Sequence, residues 1–351
     1  MKIISIVGAR PQFIKLVSLS REIRKSCQEI IIHTGQHFDN NMSKVFFDEL
    51  NIPIPDINLG ISGGDHGRQT GEMIIGLEKE IKRINPTHII IYGDTNSTLA
   101  GSIVGSKLKI PIIHIEAGLR SYNRAMPEEI NRIIADHASD YLFAPTGNAL
   151  NNLYEEGLEK KSYLTGDLMV DTLLNNIRKA KKSDIINRLK LDEGQYYLLT
   201  LHRPYNVDDP SKLNLLLNKL IELDAPIIFP AHPRTHRVIK DNNINTNNNV
   251  KLIKPVGYFD FLRLEEGSRK ILTDSGGIQK EAYILKKPCI TIRTETEWVE
   301  TIEDGWNILA SPNDENFSEK IISFHPQNKQ RDVFGKNVAK RMLEIINSIN
   351  K

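Results

Sequence analysis

The chain has 351 residues, 40% of them hydrophobic and 26% charged, with a formal net charge of +2. That length predicts two domains, and a near-neutral balance with no block of like charge excludes a general nucleic-acid or anionic-membrane binder, so any anion must be held locally. Two cysteines, Cys27 and Cys289, are too few for a disulfide framework and fit a reducing compartment. No run approaches the ~18 apolar residues of a membrane span. The start MKIISIVGARPQ is interrupted by Gly-Ala-Arg-Pro and does not read as a signal peptide. A cytoplasmic protein is the expectation.

In chain order, short Ile/Val-rich runs alternate with helix-length segments. The first series is KIISIV (2–7), EIIIHTG (29–35), THIIIYGD (87–94), IPIIHIE (110–116) and DYLFAP (140–145), with helices at about 12–24, 66–84, 97–107 and 128–138. A second series follows: QYYLLTLH (195–202), APIIFPAH (225–232), VKLIK (250–254), RKILTD (269–274), PCITIR (288–293) and WNILA (306–310). Its helices fall at about 210–222, 234–241, 258–267 and 277–286, and the segment from Val338 through Met342, Ile345 and Ile346 has helical spacing. Near-continuous apolar strands separated by helices predict parallel sheets covered on both faces. The expected fold class is α/β, with two Rossmann-like domains and a ligand cleft between them. The expected domains are 1–165, 166–333 and a terminal segment 334–351, joined through the polar, Lys-rich stretch 160–190.

In such folds polar residues just past a strand's carboxyl end face the ligand. The first strand runs into Gly8-Ala9-Arg10-Pro11, which is no dinucleotide fingerprint. Pro11 suits the first helical position, and Arg10 and Lys15 lie where an anion is favoured. Asp94 and Glu116 end two further strands and Glu128 follows; carboxylates that converge suit proton transfer. Asp94 could also cap the helix beginning NSTLAG. Glu129 reads as ordinary helix-terminal charge. In the second half, Asp274-Ser275-Gly276-Gly277 opens a helix after a strand, so backbone N–H groups and the Ser275 hydroxyl can approach a phosphate. Glu281 lies one turn on, placed for ribose hydroxyls. His202 and His232 each end a strand and precede an arginine within two residues, a pattern suited to a diphosphate. Neither has metal-type spacing, and no metal is expected.

Together the motifs GARPQFIK (8–15), HTGQH (33–37), YGDTNSTLA (92–100), HIEAGLRS (114–121), MPEEINR (126–132), TGD (165–167), LHRP (201–204), HPR (232–234) and LTDSGGIQKEA (272–282) resemble the non-hydrolysing UDP-N-acetylglucosamine 2-epimerase family over nearly the whole chain. The resemblance implies the glycosyltransferase-B fold, a homodimer, a UDP-sugar substrate, and no cofactor. It implies inversion at C2 by elimination of UDP to a 2-acetamidoglucal and re-addition. Asp94, Glu116 and Glu128 become the acid/base candidates, with His202 beside the diphosphate. Arg10, Lys15, His232, Ser275, Gly276, Gly277 and Glu281 become nucleotide-side groups, and Phe261 flanks the uracil. Three departures stand out: Gln12 for a glutamate, Pro204-Tyr205 after Arg203, and Trp298 for an arginine. GARPQFIK, HTGQHFD and TEWVE look more like a branch acting on UDP-2,3-diacetamido-2,3-dideoxyglucuronate, for which Arg120, Arg124 and Arg293 are available to meet a C6 carboxylate. Asp39 follows Gln36-His37 where the activated members have a second glutamine. A hydrolysing epimerase or glycosyltransferase on the same fold, and a non-catalytic UDP-sugar sensor, are the competing readings.

Overall fold

The computed structural model describes residues 1–35, 48–246 and 249–349; Gln36, His37 and Asp39 lie outside them. Two compact units emerge, Met1–Asn175 with Asp332–Lys351, and Asn176–Arg331. The strands of the first are β1 (Lys2–Val7), β2 (Gln28–His33), β3 (Ile57–Asn58), β4 (His88–Tyr92), β5 (Ile112–Ile115), β6 (Tyr141–Ala144) and β7 (Ser162–Leu164). Those of the second are β8 (Tyr197–Thr200), β9 (Ile227–Pro230), β10 (Val250–Ile253), β11 (Lys270–Thr273), β12 (Cys289–Thr291) and β13 (Asn307–Leu309). Each unit holds one sheet, ordered β3-β2-β1-β4-β5-β6-β7 and β10-β9-β8-β11-β12-β13. Every described strand pair is parallel.

The apolar runs form strands because both sheet faces are covered. Ile4, Ile6, Ile89, Ile91 and Ile112 pack with Met73, Leu77 and Ile81 of the helix His66–Ile84 and with Val104 of Asn96–Leu108. Burying each such side chain contributes about 1.5–3 kcal/mol. In the second unit one face of the sheet packs Leu199, Phe229 and Leu272 against Leu213, Leu216 and Leu217. The other face packs Leu198, Ile228 and Ile271 against Tyr196 and Leu264.

The order reverses between β1 and β4 in the first sheet and between β8 and β11 in the second. Such switch points open a crevice at the strands' carboxyl ends. The chain leaving β1, β4, β8 and β11 carries Arg10, Asp94, His202 and Ser275, so topology alone puts four candidate residues at these positions.

Some elements differ from expectation. β3 and β7 are short and lack an apolar run, so no periodicity marks them. The stretch 160–190 is not a plain polar join. It contains the helix Leu168–Ala180, with Leu168, Met169, Val170 and Leu173 buried, and the boundary between units falls within that helix. The last helix, Val338–Ser348, packs on Arg10–Ile23 and buries Val338, Met342 and Ile346. Among the described residues no helix is long and apolar enough to cross a membrane.

His33, at the end of β2, is buried, stacks 5.0 Å from Phe13, and accepts a hydrogen bond at Nδ1 from the Gly35 N–H at 2.7 Å. Burial lowers its pKa to about 4. The folded ring therefore stays neutral while the unfolded one protonates below its ordinary value, so stability is lost as the pH falls from about 6.5 towards 4. Between pH 7 and pH 5 the wild type should lose about 2 kcal/mol more than His33→Asn, measured by urea unfolding. Equal losses would show that His33 does not carry this dependence.

Candidate functional site

Glu116 follows β5 directly and adopts a left-handed backbone, φ +68°. Its N–H and that of Ala117 both donate to the Phe143 carbonyl at 3.1 Å. The carboxylate is buried and takes a short charge-assisted hydrogen bond from Lys15, itself buried on the helix Arg10–Ile23. A β-carbon on Gly93 would lie 3.1 Å from Glu116 Oε2 and 3.3 Å from Lys15 Nζ. The turn after β4 thus passes over the pair, and its φ of +62° suits glycine.

Asp94 is the next residue. Its side chain, 30% exposed, pairs with Arg132 at 2.6 Å, and its carbonyl accepts from Asn131 at 2.9 Å. The helix Asn96–Leu108 is capped by Thr95, not by Asp94, which leaves the Asp94 carboxylate to other work. Arg132 also binds Glu129 at 2.8 Å, tying the helix Pro127–Ala138, with Glu128 half-buried in its first turn, to the end of β4. Glu129 is not ordinary terminal charge. It is buried and accepts from the Ser121 and Tyr122 N–H groups and the Ser121 hydroxyl, each at 2.9 Å. Burial raises its pKa, but these donors and Arg132 outweigh that and lower it overall.

Of the three arginines considered for a sugar carboxylate, Arg120 is buried and committed to Asp136 (2.8 Å) and Glu156 (2.7 Å). Arg293 pairs with Glu297 at 3.1 Å. Arg124 is exposed. Arg10 is exposed at the first helical position, and Pro11 occupies the second.

Gln12 closes the base of this site. Its Oε1 accepts from the Gly8 and Ala9 N–H groups at 2.7 and 3.0 Å. Its Nε2 donates to the Tyr92 carbonyl at 2.7 Å and Thr98 Oγ1 at 3.1 Å. A glutamate could accept there but not donate, so the amide fits this chain's own surroundings.

In the second unit, Asp274 is fully buried just after β11. It accepts from the His202 N–H (3.1 Å), the Arg203 N–H (3.1 Å) and Asn206 Nδ2 (2.9 Å), and pairs with His202 Nδ1 at 2.8 Å. Burial raises the carboxyl's pKa; the His202 ring and the other donors outweigh it and hold it below the usual range. Nδ1 therefore donates to Asp274, and the ring, 56% exposed, presents Nε2 outward. Ser275 stands at the N-cap of the helix Gly276–Ile284 without a side-chain capping bond. A β-carbon on Gly276 would lie 2.5 Å from Glu297 Oε1 and 3.0 Å from Trp298 Nε1, so that segment packs against the turn. Trp298 is buried, with the Lys280 ammonium 4.1 Å from its ring centroid. Where an arginine was expected near a ligand, this chain has an internal cation–π contact. Glu281 is buried in the same helix. His232 caps the helix Pro233–Asp241, its Nδ1 accepting from the Arg234 N–H at 3.2 Å. Phe261 packs partly into the second unit's core.

The structure thus groups Asp94, Glu116 and Lys15 in the first unit, and His202 with the Ser275-Gly276-Gly277 turn in the second. Sequence reasoning passed over Asp136 and Glu297, and took Asp274 only as the start of the glycine turn, not as the partner of His202. One signal was available: His114 inside an apolar strand requires a buried partner.

The UDP-N-acetylglucosamine 2-epimerase family model matches residues 21–347. The chain belongs to that family. It is therefore an isomerase with the glycosyltransferase-B class of fold. A UDP-N-acetylglucosamine 2-epimerase homolog of Methanococcus maripaludis is 49% identical over 99% of this chain and 100% of its own length. A UDP-2,3-diacetamido-2,3-dideoxy-D-glucuronate 2-epimerase of Pseudomonas aeruginosa is 49% identical over 88% of each. The crystal structure of the Methanocaldococcus jannaschii UDP-GlcNAc 2-epimerase, in complex with UDP-GlcNAc and UDP, superposes with a TM-score of 0.92 at 44% identity, covering 99% of this chain and 100% of that one.

The Gln12 arrangement has a direct consequence for this epimerase. Gln12→Glu replaces two donated hydrogen bonds by a carboxylate facing the Tyr92 carbonyl and should destabilise the fold by about 2 kcal/mol in urea unfolding. An unchanged midpoint would show that the two donations contribute nothing.

Proposed function

We propose that the protein interconverts UDP-N-acetylglucosamine and UDP-N-acetylmannosamine. The observation that carries this reading is the buried Lys15–Glu116 pair at the end of β5, with Asp94 at the end of β4 in the same unit. A carboxylate takes the proton from C2. The C1–O bond breaks, its electron pair leaves with UDP, and a C1=C2 double bond forms, giving a 2-acetamidoglucal. In the return step a UDP oxygen bonds to C1 while a proton reaches C2 from the opposite face. Two faces need two proton-transfer positions, which is the use of having more than one carboxylate, Asp94, Glu116 and Glu128, in the same unit. Lys15 holds the Glu116 carboxylate in place through the hydrogen bond between them.

The second unit supplies the UDP side. Its Ser275-Gly276-Gly277 turn binds phosphate, Glu281 the ribose, Phe261 the uracil, and His202 and His232 the diphosphate; Arg10 of the first unit is a further phosphate-side cation. Fixed donors around the departing phosphate stabilise the charge that develops there. The proposal includes a homodimer, as the family resemblance implies, and a cytoplasmic location, as the composition and the two widely spaced cysteines suggest.

The Pseudomonas relative supports a second substrate, the 2,3-diacetamido uronate. Turnover of each UDP-sugar by the same preparation decides between them: UDP-N-acetylglucosamine should be epimerised faster, and the reverse order would transfer the assignment. In Glu116→Gln, epimerisation should fall by about 100-fold or more while UDP binding by calorimetry is retained. Turnover at the wild-type rate would remove Glu116 from the chemistry.

A further inference from the structure

Asp136 stands on the helix Pro127–Ala138, fully buried, and makes contacts on both sides of Glu116. Its Oδ1 takes a hydrogen bond from His114 Nδ1 at 2.7 Å, two residues before Glu116. Its Oδ2 accepts from the Gly118 N–H at 3.1 Å, two residues after. The same Oδ2 is 2.8 Å from Arg120 Nη1, and Arg120 is held in turn by Glu156 through a two-pronged pairing at 2.7 Å. Beyond the ring, His114 Nε2 lies 2.8 Å from the Gly93 carbonyl, to which it can only donate. One buried carboxylate therefore holds the His114 side chain before Glu116 and the Gly118 backbone after it, and, through the His114 ring, the turn that carries Asp94.

This arrangement meets a specific need. Glu116 at φ +68° is a non-glycine residue in the left-handed region, an unfavourable conformation that persists only when its surroundings over-determine it. Gly118, at φ +83°, is fixed as well: a β-carbon there would meet the Ala149 carbonyl oxygen at 2.2 Å. Asp136 thus grips a rigid turn rather than a pliable one. A buried carboxylate with three donors is expensive to unpair, so the grip is stiff. The Asp136 side chain itself is enclosed and has every oxygen occupied by these partners, which leaves it no part in proton transfer to a substrate.

We infer that Asp136 is a positioning residue for the epimerisation: with His114 as its relay, it holds Glu116 and the Gly93-Asp94 turn in the geometry that proton transfer at C2 requires. The inference rests on the reading of Glu116 and Asp94 as proton-transfer groups. A displacement of about 1 Å in such a group lowers turnover about 100-fold without altering how substrate is held elsewhere.

The test is steady-state epimerisation by Asp136→Asn and His114→Gln in the full-length enzyme, beside Glu29→Gln. Glu29 is a buried carboxylate of the same unit, tied to Ser5, Ser20 and Arg24, and its loss reports destabilisation alone. The expected result is a kcat about 100-fold lower in the first two variants, KM and UDP affinity within about twofold of wild type, and an unchanged kcat in Glu29→Gln. Wild-type kcat in Asp136→Asn and His114→Gln overturns the positioning role and leaves the epimerase reading intact. A wild-type enzyme that turns over neither UDP-sugar overturns that reading, and the positioning role with it. Should the variants not fold, hydrogen exchange in the wild type decides: the Gly118 amide and the His114 Nε2 proton should exchange slowly by NMR, and rapid exchange of both overturns the inference.

Discussion

The left-handed turn at Glu116 is the constraint on which the first unit's site depends. Strand β5 delivers a carboxylate to the sheet edge, where an ordinary extended continuation would send it elsewhere. The turn aims it at Lys15 instead, and the strain is offset by what surrounds it: the Phe143 carbonyl shared by two N–H groups, the glycine at 93 that leaves room, and Asp136 holding positions 114 and 118. Backbone strain concentrates at functional positions because only there is there reason to retain it. Replacing any one of these supports leaves the others to hold an unfavourable conformation alone.

The two sheets apply one topological device twice. Both are wholly parallel in their described pairs and covered by helices, so the candidate site residues gather at the strand ends. In each, the order reverses between the unit's first strand and the strand that returns beside it. The carboxylates with their lysine stand at this position in the first unit, and the histidine, its aspartate and the glycine turn stand there in the second. The division also separates two chemical demands. Proton transfer needs carboxylates at defined distances from a cation, while phosphate binding needs backbone N–H groups at a helix start and a histidine of fixed orientation.

Much of this was legible in the sequence. Ile/Val runs of strand length spaced by amphipathic segments specify a parallel α/β fold because burial on both faces leaves no alternation, and strand-end polar residues such as Asp94, Glu116 and His202 are visible as breaks in those runs. What escaped reading did so for physical reasons. β3 and β7 are too short to have a period. The helix Leu168–Ala180 lies in a lysine-rich stretch whose apolar face is obscured by its neighbours. Glu129 and Arg120 have the composition of surface charge, and only tertiary packing turns them into buried, saturated groups. Asp136 and Asp274 act through partners 16 to 72 residues away, a relation no local spacing can reveal. Gln12 and Trp298, departures by comparison with the family's commoner motifs, become intelligible only from their contacts: an amide that must both accept and donate, and an indole stacked by a buried lysine.

The account centres on removal and return of the C2 proton while UDP leaves and re-adds. Running the reaction from UDP-N-acetylglucosamine in deuterated water and reading the position of label by NMR tests it most directly. Deuterium at C2 of the UDP-sugar, with no accumulation of free sugar, is the predicted result. Epimerised product without deuterium at C2, or release of free sugar with UDP as the end products, would contradict it.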